Sequence, residues 1–453
     1  MTIRTAEMER LQELYEEREN NLVFLYGRTG MQQHELMQRF LEGKKYVFYS
    51  ASECSNDMQR EFFANCISDS CQVDIIRNDY ETLFNRIKSG EASKLVLIID
   101  HVENILKKDD AFMDNILKLK QKKLYPGPVM IVFMTDSIVF AEQDFPELME
   151  NRIKKFDVIL KFTELKFLDV VRRFPHYSVS QSIEVYGVIG GVPEYLAHWD
   201  DRRTLKENIC RVILKEDGFL HQEARRYLSA ELREYGVYQT ILASIASGRE
   251  KLNDIFLYTG YSRPKISVYM KNLAGFEVIG KVSSFETGGW DNAKKGVYRI
   301  QNTFLNFWYK FVFPNQSQLR MMGPEKFYDK YIAPDIDRYF NNTFQKVCME
   351  YLELSSAVNQ LPIRIEKMGT WVGKKGTIDI IAQDKIRSTI VGMCSWSEDM
   401  FTYDMYERLL KNMKDAKVKS EYCYLFSAKK FEDRLIAASK EDSHIVIVDM
   451  NEM

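Results

Sequence analysis

The stretch richest in chemical content is Gly27-Arg28-Thr29-Gly30-Met31-Gln32-Gln33-His34-Glu35-Leu36, directly after the apolar run Leu22 to Tyr26. An apolar strand, a turn glycine and a helix start, in that order, build a phosphate-binding loop when the pattern is G-x-x-x-x-G-K-[ST]. The second glycine lets backbone N–H groups wrap the phosphates, the lysine meets the β- and γ-phosphates, and the hydroxyl holds Mg²⁺. Here those three places hold Gln32, Gln33 and His34. Gln33 is neutral and cannot replace a charge-assisted contact worth ~1.5–3 kcal/mol. Arg28 and His34 are the nearby cations, read either as compensation or as ordinary loop residues. The frame of the loop is present and the groups that touch phosphate are not.

Such a site has a second half, an apolar strand ending in Asp and commonly followed by the Glu that activates water. Leu95 to Ile99 leads into Asp100, readable as a Mg²⁺-side carboxylate or as a cap for the next turn, and His101 stands where the Glu would be. A further apolar run, Val129 to Met134, ends in Thr135-Asp136, suited to sensing a γ-phosphate.

A second constellation lies near the end of the chain. Metal-dependent nuclease chemistry needs carboxylates for Mg²⁺ and a Lys to orient water, spaced D…E-x-K on a strand pair. Asp379 takes the first acid position, but Met393 replaces the second acid and Ser395 the Lys. One carboxylate does not clamp a catalytic Mg²⁺, so Asp379 reads as a hydrogen-bonded strand residue. The histidines His176, His198, His221 and His444 have no ligand spacing.

The elements that must position these residues follow from periodicity. Residues 1–160 alternate helix with short continuous apolar strands at 22–26, 46–50, 95–100 and 129–135, the pattern of a parallel sheet covered on both faces. Residues 161–235 read as a helical lid, broken at Gly190-Gly191-Val192-Pro193. Residues 236–315 give helices at 237–246, 251–258 and 264–273, then strands at 277–285 and 296–300, a winged helix-turn-helix. Residues 316–453 form a last α/β unit, with helices at 335–354 and 403–416 and strands near Ile363 and at 378–382 and 390–394. The fold class is therefore α/β, with four segments.

In the winged helix, Arg263, Lys265 and Lys271 lie on or beside the third helix, and Lys281, Lys294 and Lys295 in or beside the wing. Several cations there would neutralise DNA phosphates, with Ser267 or Asn272 reading bases. The same module also serves elsewhere purely for packing, and both readings stay open.

Over 453 residues the formal net charge is −2, which excludes strong global attraction to nucleic acid, so DNA contact must be local. Hydrophobic residues at 45% and charged residues at 28% are ordinary for a soluble globular chain. Met1-Thr2-Ile3-Arg4 leads into a charged helix rather than a signal peptide, and no apolar stretch is long enough to span a membrane. The seven scattered cysteines form no C-x-x-C pair and read as free thiols of a cytoplasmic protein.

With these residues in view, nearly the whole chain resembles the archaeal-type ATPase family. These are AAA-like or STAND-like P-loop proteins with a winged helix and a C-terminal restriction-endonuclease-like domain. The resemblance rests on Leu22 to Leu36, on Ile189-Gly190-Gly191-Val192-Pro193-Glu194-Tyr195-Leu196, and on Phe304-Leu305-Asn306-Phe307-Trp308-Tyr309-Lys310-Phe311. It implies ATP and Mg²⁺, of whose ligands Gly27 and Asp100 carry over, and it puts Arg152 where an arginine reaches the nucleotide. Beside Lys154 and Lys155, Arg152 also reads as a solvated cation. Where the family tends to carry a helical Glu after Phe344, this chain has Gln345. Two centres without their defining residues, in strands that look undamaged, point to a DNA- or protein-binding pseudoenzyme. The alternative is a slow, atypical ATPase that couples nucleotide state to DNA or partner binding through the winged helix. A protein partner or a homo-oligomer is expected, and no membrane.

Overall fold

A computed structural model describes the chain apart from residues 1–3, 76, 88–93, 122–127, 230–231, 286–295, 374–375 and 453. By packing, the chain divides into Met1–Glu164 and Leu165–Met453.

In the first unit, β1 (Asn21–Gly27), β2 (Tyr46–Ser50), β3 (Leu95–Asp100), β4 (Val129–Thr135) and β5 (Val158–Phe162) pair in the order β2-β3-β4-β1-β5, all parallel. Every residue of β1, β3 and β4 is buried, which is why these strands are continuous apolar runs rather than alternating ones. The sequence pattern did not mark β5, a short edge strand that has Ile159 exposed and contains Lys161. The core on one face holds Phe24, Leu97, Phe133, Phe112 and Phe145. Because all five strands run the same way, the residues after β1, β3 and β4 meet at one carboxyl edge, where ligands bind in such sheets.

In the second unit the two strings that carried the resemblance pack together. Gly190 ends the helix Val179–Ile189 with φ 66°, and a Cβ on Gly191 would lie 2.0 Å from the Leu165 carbonyl oxygen. The Leu165 N–H donates to the Gly191 carbonyl at 2.8 Å. Tyr195 meets Phe304 edge-on at 5.6 Å, and its hydroxyl donates to Glu223 Oε1 at 2.6 Å. These uncommon residues are therefore demanded by backbone contact and ring packing.

Three helices, Tyr235–Ala246, Leu252–Thr259 and Arg263–Gly275, precede the antiparallel pair β6 (Ile279–Val282) and β7 (Val297–Ile300). Strand β6 is shorter than its apolar pattern at 277–285. After Val282 the chain turns onto the next sheet, where Ser284 Oγ accepts from the Val372 N–H and the Phe285 N–H donates to the Thr370 carbonyl at 2.8 Å.

That sheet contains β8 (Lys367–Val372), β9 (Thr377–Gln383), β10 (Thr389–Ser395), β12 (Tyr422–Ser427) and β14 (Ile445–Asp449), while β11 (Met400–Phe401) and β13 (Lys430–Phe431) form a separate short parallel ladder. The order is β14-β12-β10-β9-β8; β8, β9 and β10 are antiparallel neighbours, and β10, β12 and β14 run parallel. Strand β8 begins at Lys367 and not near Ile363, whose preceding Pro362 has no N–H for a ladder. The helix Ala333–Ala357 covers one face, and Tyr403–Ala416 packs into the core on the other through Met405, Leu409 and Met413. No helix among the described residues is long and apolar enough to cross a membrane.

Candidate functional site

The loop after β1 runs from the strand Asn21–Gly27 into the helix Gln33–Phe40, the order of a phosphate loop, with different side chains. Gln32 adopts φ 63° where the pattern has glycine, a left-handed backbone that costs a non-glycine residue roughly 1–2 kcal/mol. Gly27 is required for another reason than phosphate: a Cβ there would lie 2.7 Å from Phe162 Cβ and 2.9 Å from the Phe162 carbonyl oxygen of β5. Gly30 has φ 90°.

Gln33, at the lysine position, is buried and turned inward. Its Nε2 donates to the carbonyls of Gly27 at 3.0 Å and Arg28 at 3.4 Å, and to Asp136 Oδ1. One side-chain amide thus ties the first turn of the loop to the end of β4. His34, at the hydroxyl position, places Nε2 3.1 Å from Asp100 Oδ2. His101, in a left-handed conformation at φ 50°, lies 3.7 Å from the same oxygen and 3.4 Å from Glu103 Oε1.

The electrostatics follow from these pairings. The hydrogen bond to Glu103 pushes the His101 imidazole up to about 9, with Asp100 and Glu103 charges adding to it against burial. The bond to Asp100 likewise raises His34 against burial. Burial pushes the Asp100 carboxyl up, yet the His34 bond and both histidines outweigh it and hold it below its ordinary value. Burial, with the Asp100 charge behind it, raises Asp136 in spite of both histidines and the Gln33 bond. At neutral pH the edge of the sheet carries an imidazolium against a buried carboxylate.

Mg²⁺ with ATP does not fit this donor set by the usual chemistry. The lysine is gone, the amide in its place is spent on three acceptors, the hydroxyl is an imidazole, and the Asp100 oxygen that would face the metal is held by histidine. Asp100 Oδ1 and Gln33 Oε1 are buried acceptors without a partner, which offer nothing to an anionic phosphate. Among the described residues, no group of three His, Cys, Asp or Glu is arranged to hold a metal. Arg152 is directed elsewhere and pairs with Asp114 at 3.1 Å on the surface. Of the residues expected from sequence, Gln33, His34, Asp100, His101 and Asp136 come together. Glu103, the partner of His101, was missed because a carboxylate three residues past a strand end carries no motif.

In the C-terminal sheet, Gln345 and Asp379 come together and Met393 and Ser395 do not join them. Gln345 Nε2 donates to Thr370 Oγ1 at 2.9 Å and to the Asp379 carbonyl at 2.7 Å. Asp379 Oδ2 accepts from the Cys394 N–H at 2.9 Å. Strand alternation decides the rest. Met393 packs into the core with Ile378 and Val391, whereas Cys394 bonds through its thiol to Cys348 of the helix Ala333–Ala357. Ser395, two residues past Met393, is buried with an unpartnered hydroxyl. Burial pushes Asp379 up to about 6 and raises both thiols. The alternation from Val391 was available in the sequence, and it puts Gly392 and Cys394 on the face opposite Met393.

On the third helix of the winged module, Arg263, Ser267, Lys271 and Asn272 are exposed. Arg263 donates to Asn253 at 3.1 Å, Lys265 lies 3.6 Å from Glu234, and Asn272 donates to the Tyr238 hydroxyl at 2.9 Å. Lys294 and Lys295 lie outside the described residues. Of the remaining histidines, His176 pairs with Asp201 at 2.8 Å and His444 with Asp442 at 2.7 Å, His198 stacks on Phe219 at 3.6 Å, and His221 Nδ1 lies 3.1 Å from the Ile213 carbonyl.

A five-stranded parallel sheet with a loop-to-helix turn after β1, followed by a winged helix, defines the class: an α/β protein of the P-loop ATPase fold. Residues 308–419 match a family described as archaea bacterial proteins of unknown function. Along 459 aligned residues, covering 99% of each chain, the protein is 25% identical to the uncharacterized protein MJECL04 of Methanocaldococcus jannaschii. Both matches agree with the resemblance to an archaeal-type family, and neither description names an activity. Among solved structures, the Walker-type ATPase PABY2304 of Pyrococcus abyssi aligns at 14% identity and TM-score 0.45, over 68% of this chain and 96% of that one. The ORC2 protein of Aeropyrum pernix, in its ADPNP-ADP complexes, aligns at 11% identity and TM-score 0.46, over 71% and 95%.

Proposed function

We propose that this chain is a pseudoenzyme of the P-loop fold that acts by binding duplex DNA through its winged helix, with protein partners on its other surfaces. The observation that carries this reading is Gln33: the side chain in the lysine position is consumed by the loop's own carbonyls and by Asp136. The donors of this amide are used within the protein and hold the loop without ligand, so the loop is architecture. The nuclease-like sheet is inactive on the same grounds, since Asp379 spends one oxygen on a backbone N–H and has Cys394, not an acid, beside it.

Calorimetry with Mg²⁺ and ATP on the purified chain tests the first half. The expected result is no affinity tighter than millimolar, with binding gained in the triple variant Gln32→Gly, Gln33→Lys, His34→Thr. Micromolar affinity in the unaltered chain would overturn it. A slow ATPase is the second reading, favoured by one observation: the imidazolium of His101 beside the loop is a cation at neutral pH. Hydrolysis abolished by Asp100→Asn would establish that reading.

A further inference from the structure

The second unit contains a cleft of about 490 Å³ that the proposed function does not use. Three separate segments wall it: Leu214 to Arg225, the start of the first winged-module helix at Tyr235 and Gln239, and Trp308 to Pro324. The volume lies in the range of small-molecule sites, which are largely apolar with a few convergent polar groups. Its apolar lining includes Leu214, Trp308, Val312, Leu319 and Pro324, of which Trp308 and Leu319 keep a small exposed edge while Leu214 and Val312 are fully covered. Trp308 belongs to the aromatic string 304–311, in which Phe304, Phe307 and Phe311 serve the core.

Two guanidinium groups from different walls, Arg225 and Arg320, line this cleft, and neither makes a side-chain hydrogen bond or ion pair among the described residues. The contrast is local, because the adjacent Arg226 pairs with Glu223 at 2.5 Å and Glu194 at 3.5 Å. Guanidinium forks match the geometry of phosphate and carboxylate oxygens. Lys215, Glu216 and Asp217 also line the cleft, so the lining sums to one positive charge, from three cations and two anions. That balance offsets one negative charge and leaves most of the charge of a polyanion such as a triphosphate uncompensated. In neutral His221 the bond from Nδ1 to the Ile213 carbonyl leaves Nε2 as an acceptor.

We propose that this cleft binds a small organic anion: an apolar or aromatic body against Trp308 and Leu319, and a single phosphate or carboxylate head on Arg225 and Arg320. The cleft is built from the second unit alone and does not depend on the reading given for the β1 loop. Because Tyr235 and Gln239 open the first helix of the winged module, an occupant would touch that module directly.

Calorimetry on the full chain without Mg²⁺ tests the proposal, using phenyl phosphate, benzoate and inorganic phosphate as probes. Phenyl phosphate or benzoate is expected to bind at least tenfold more tightly than inorganic phosphate, and the tighter of the two identifies the head group. Arg225→Ala and Arg320→Ala, both at exposed positions that leave the fold intact by circular dichroism, are each expected to weaken that binding about tenfold. Loss of binding in the Arg225→Ala, Arg320→Ala double variant places the probe in this cleft and not at the β1 loop. No binding of either aryl probe, or binding undiminished in the Arg225→Ala, Arg320→Ala double variant, would overturn the proposal.

Discussion

At the scale of single residues, the edge of the first sheet is governed by proton affinity. His101 binds its proton more tightly in the folded chain, at about 9, than an ordinary histidine at 6.5. Its contribution to stability is therefore complete below about pH 6.5 and lost as pH rises through about 9. His34 acts in the same direction and Asp100 in the opposite one: the depressed carboxylate stabilises above its unfolded pKa, and that contribution fades as pH falls. Thermal unfolding followed from pH 6 to 10 should show a decline in the unaltered chain that His101→Gln flattens. Asp379 reverses the logic of Asp100. Raised to about 6, it favours folding in its neutral form, so its penalty grows as pH climbs from about 4 through 6, and Asp379→Asn should remove that slope.

Among the elements, the third helix of the winged module is the one whose surface matters. Ser262 caps it by accepting from the Lys265 N–H at 3.4 Å, and Ser262→Ala should cost about 1 kcal/mol by urea unfolding. Lys271 is exposed and free of ion pairs among the described residues, whereas Lys265 is engaged with Glu234. Lys271→Glu is accordingly expected to lower affinity for duplex DNA several-fold and to flatten its dependence on salt, read by fluorescence anisotropy at two ionic strengths. An unchanged affinity would show that the helix is only a packing element. The conspicuous glycine Gly191 makes a different prediction. Because its absent Cβ would strike the Leu165 backbone, Gly191→Ala should destabilise by about 2 kcal/mol or more without touching any ligand.

Across the whole molecule, the second unit is tied together by contacts between segments far apart in sequence. Phe285, just past the wing strand, is buried in the core of the C-terminal sheet, and its N–H bonds to β8. Phe285→Ala should cost about 3–5 kcal/mol, measured as a shift of the urea midpoint, because it empties a core shared by two modules. Glu184 on the helix Val179–Ile189 is pushed up to about 7 by burial and by Asp337 of the helix Ala333–Ala357. A carboxyl raised in the folded state loses stability as pH rises from about 4.5 through 7, and Glu184→Gln should abolish that decline in thermal melts.

The sequence by itself determined that the chain is α/β with a parallel sheet, that a winged module follows, and that the groups for phosphate and catalytic Mg²⁺ are missing. Continuous buried strands such as Leu95 to Asp100 and loop residues such as Gln33 are legible because their signals are local. Strand β5 and the start of β8 were not, since an edge strand containing a lysine and a strand following a proline depend on what they pair with. Only the tertiary structure decided what replaced the lost chemistry. The strand ends placed Asp100 and Asp136 beside the loop, but that Gln33 bonds Asp136 and His34 bonds Asp100 depends on side-chain direction, which no spacing rule gives. Tertiary packing also assigned Gly27 and Gly191 to backbone approach rather than to ligands, and brought Arg225, Trp308 and Arg320 to one cleft, because burial is settled between elements and not within them.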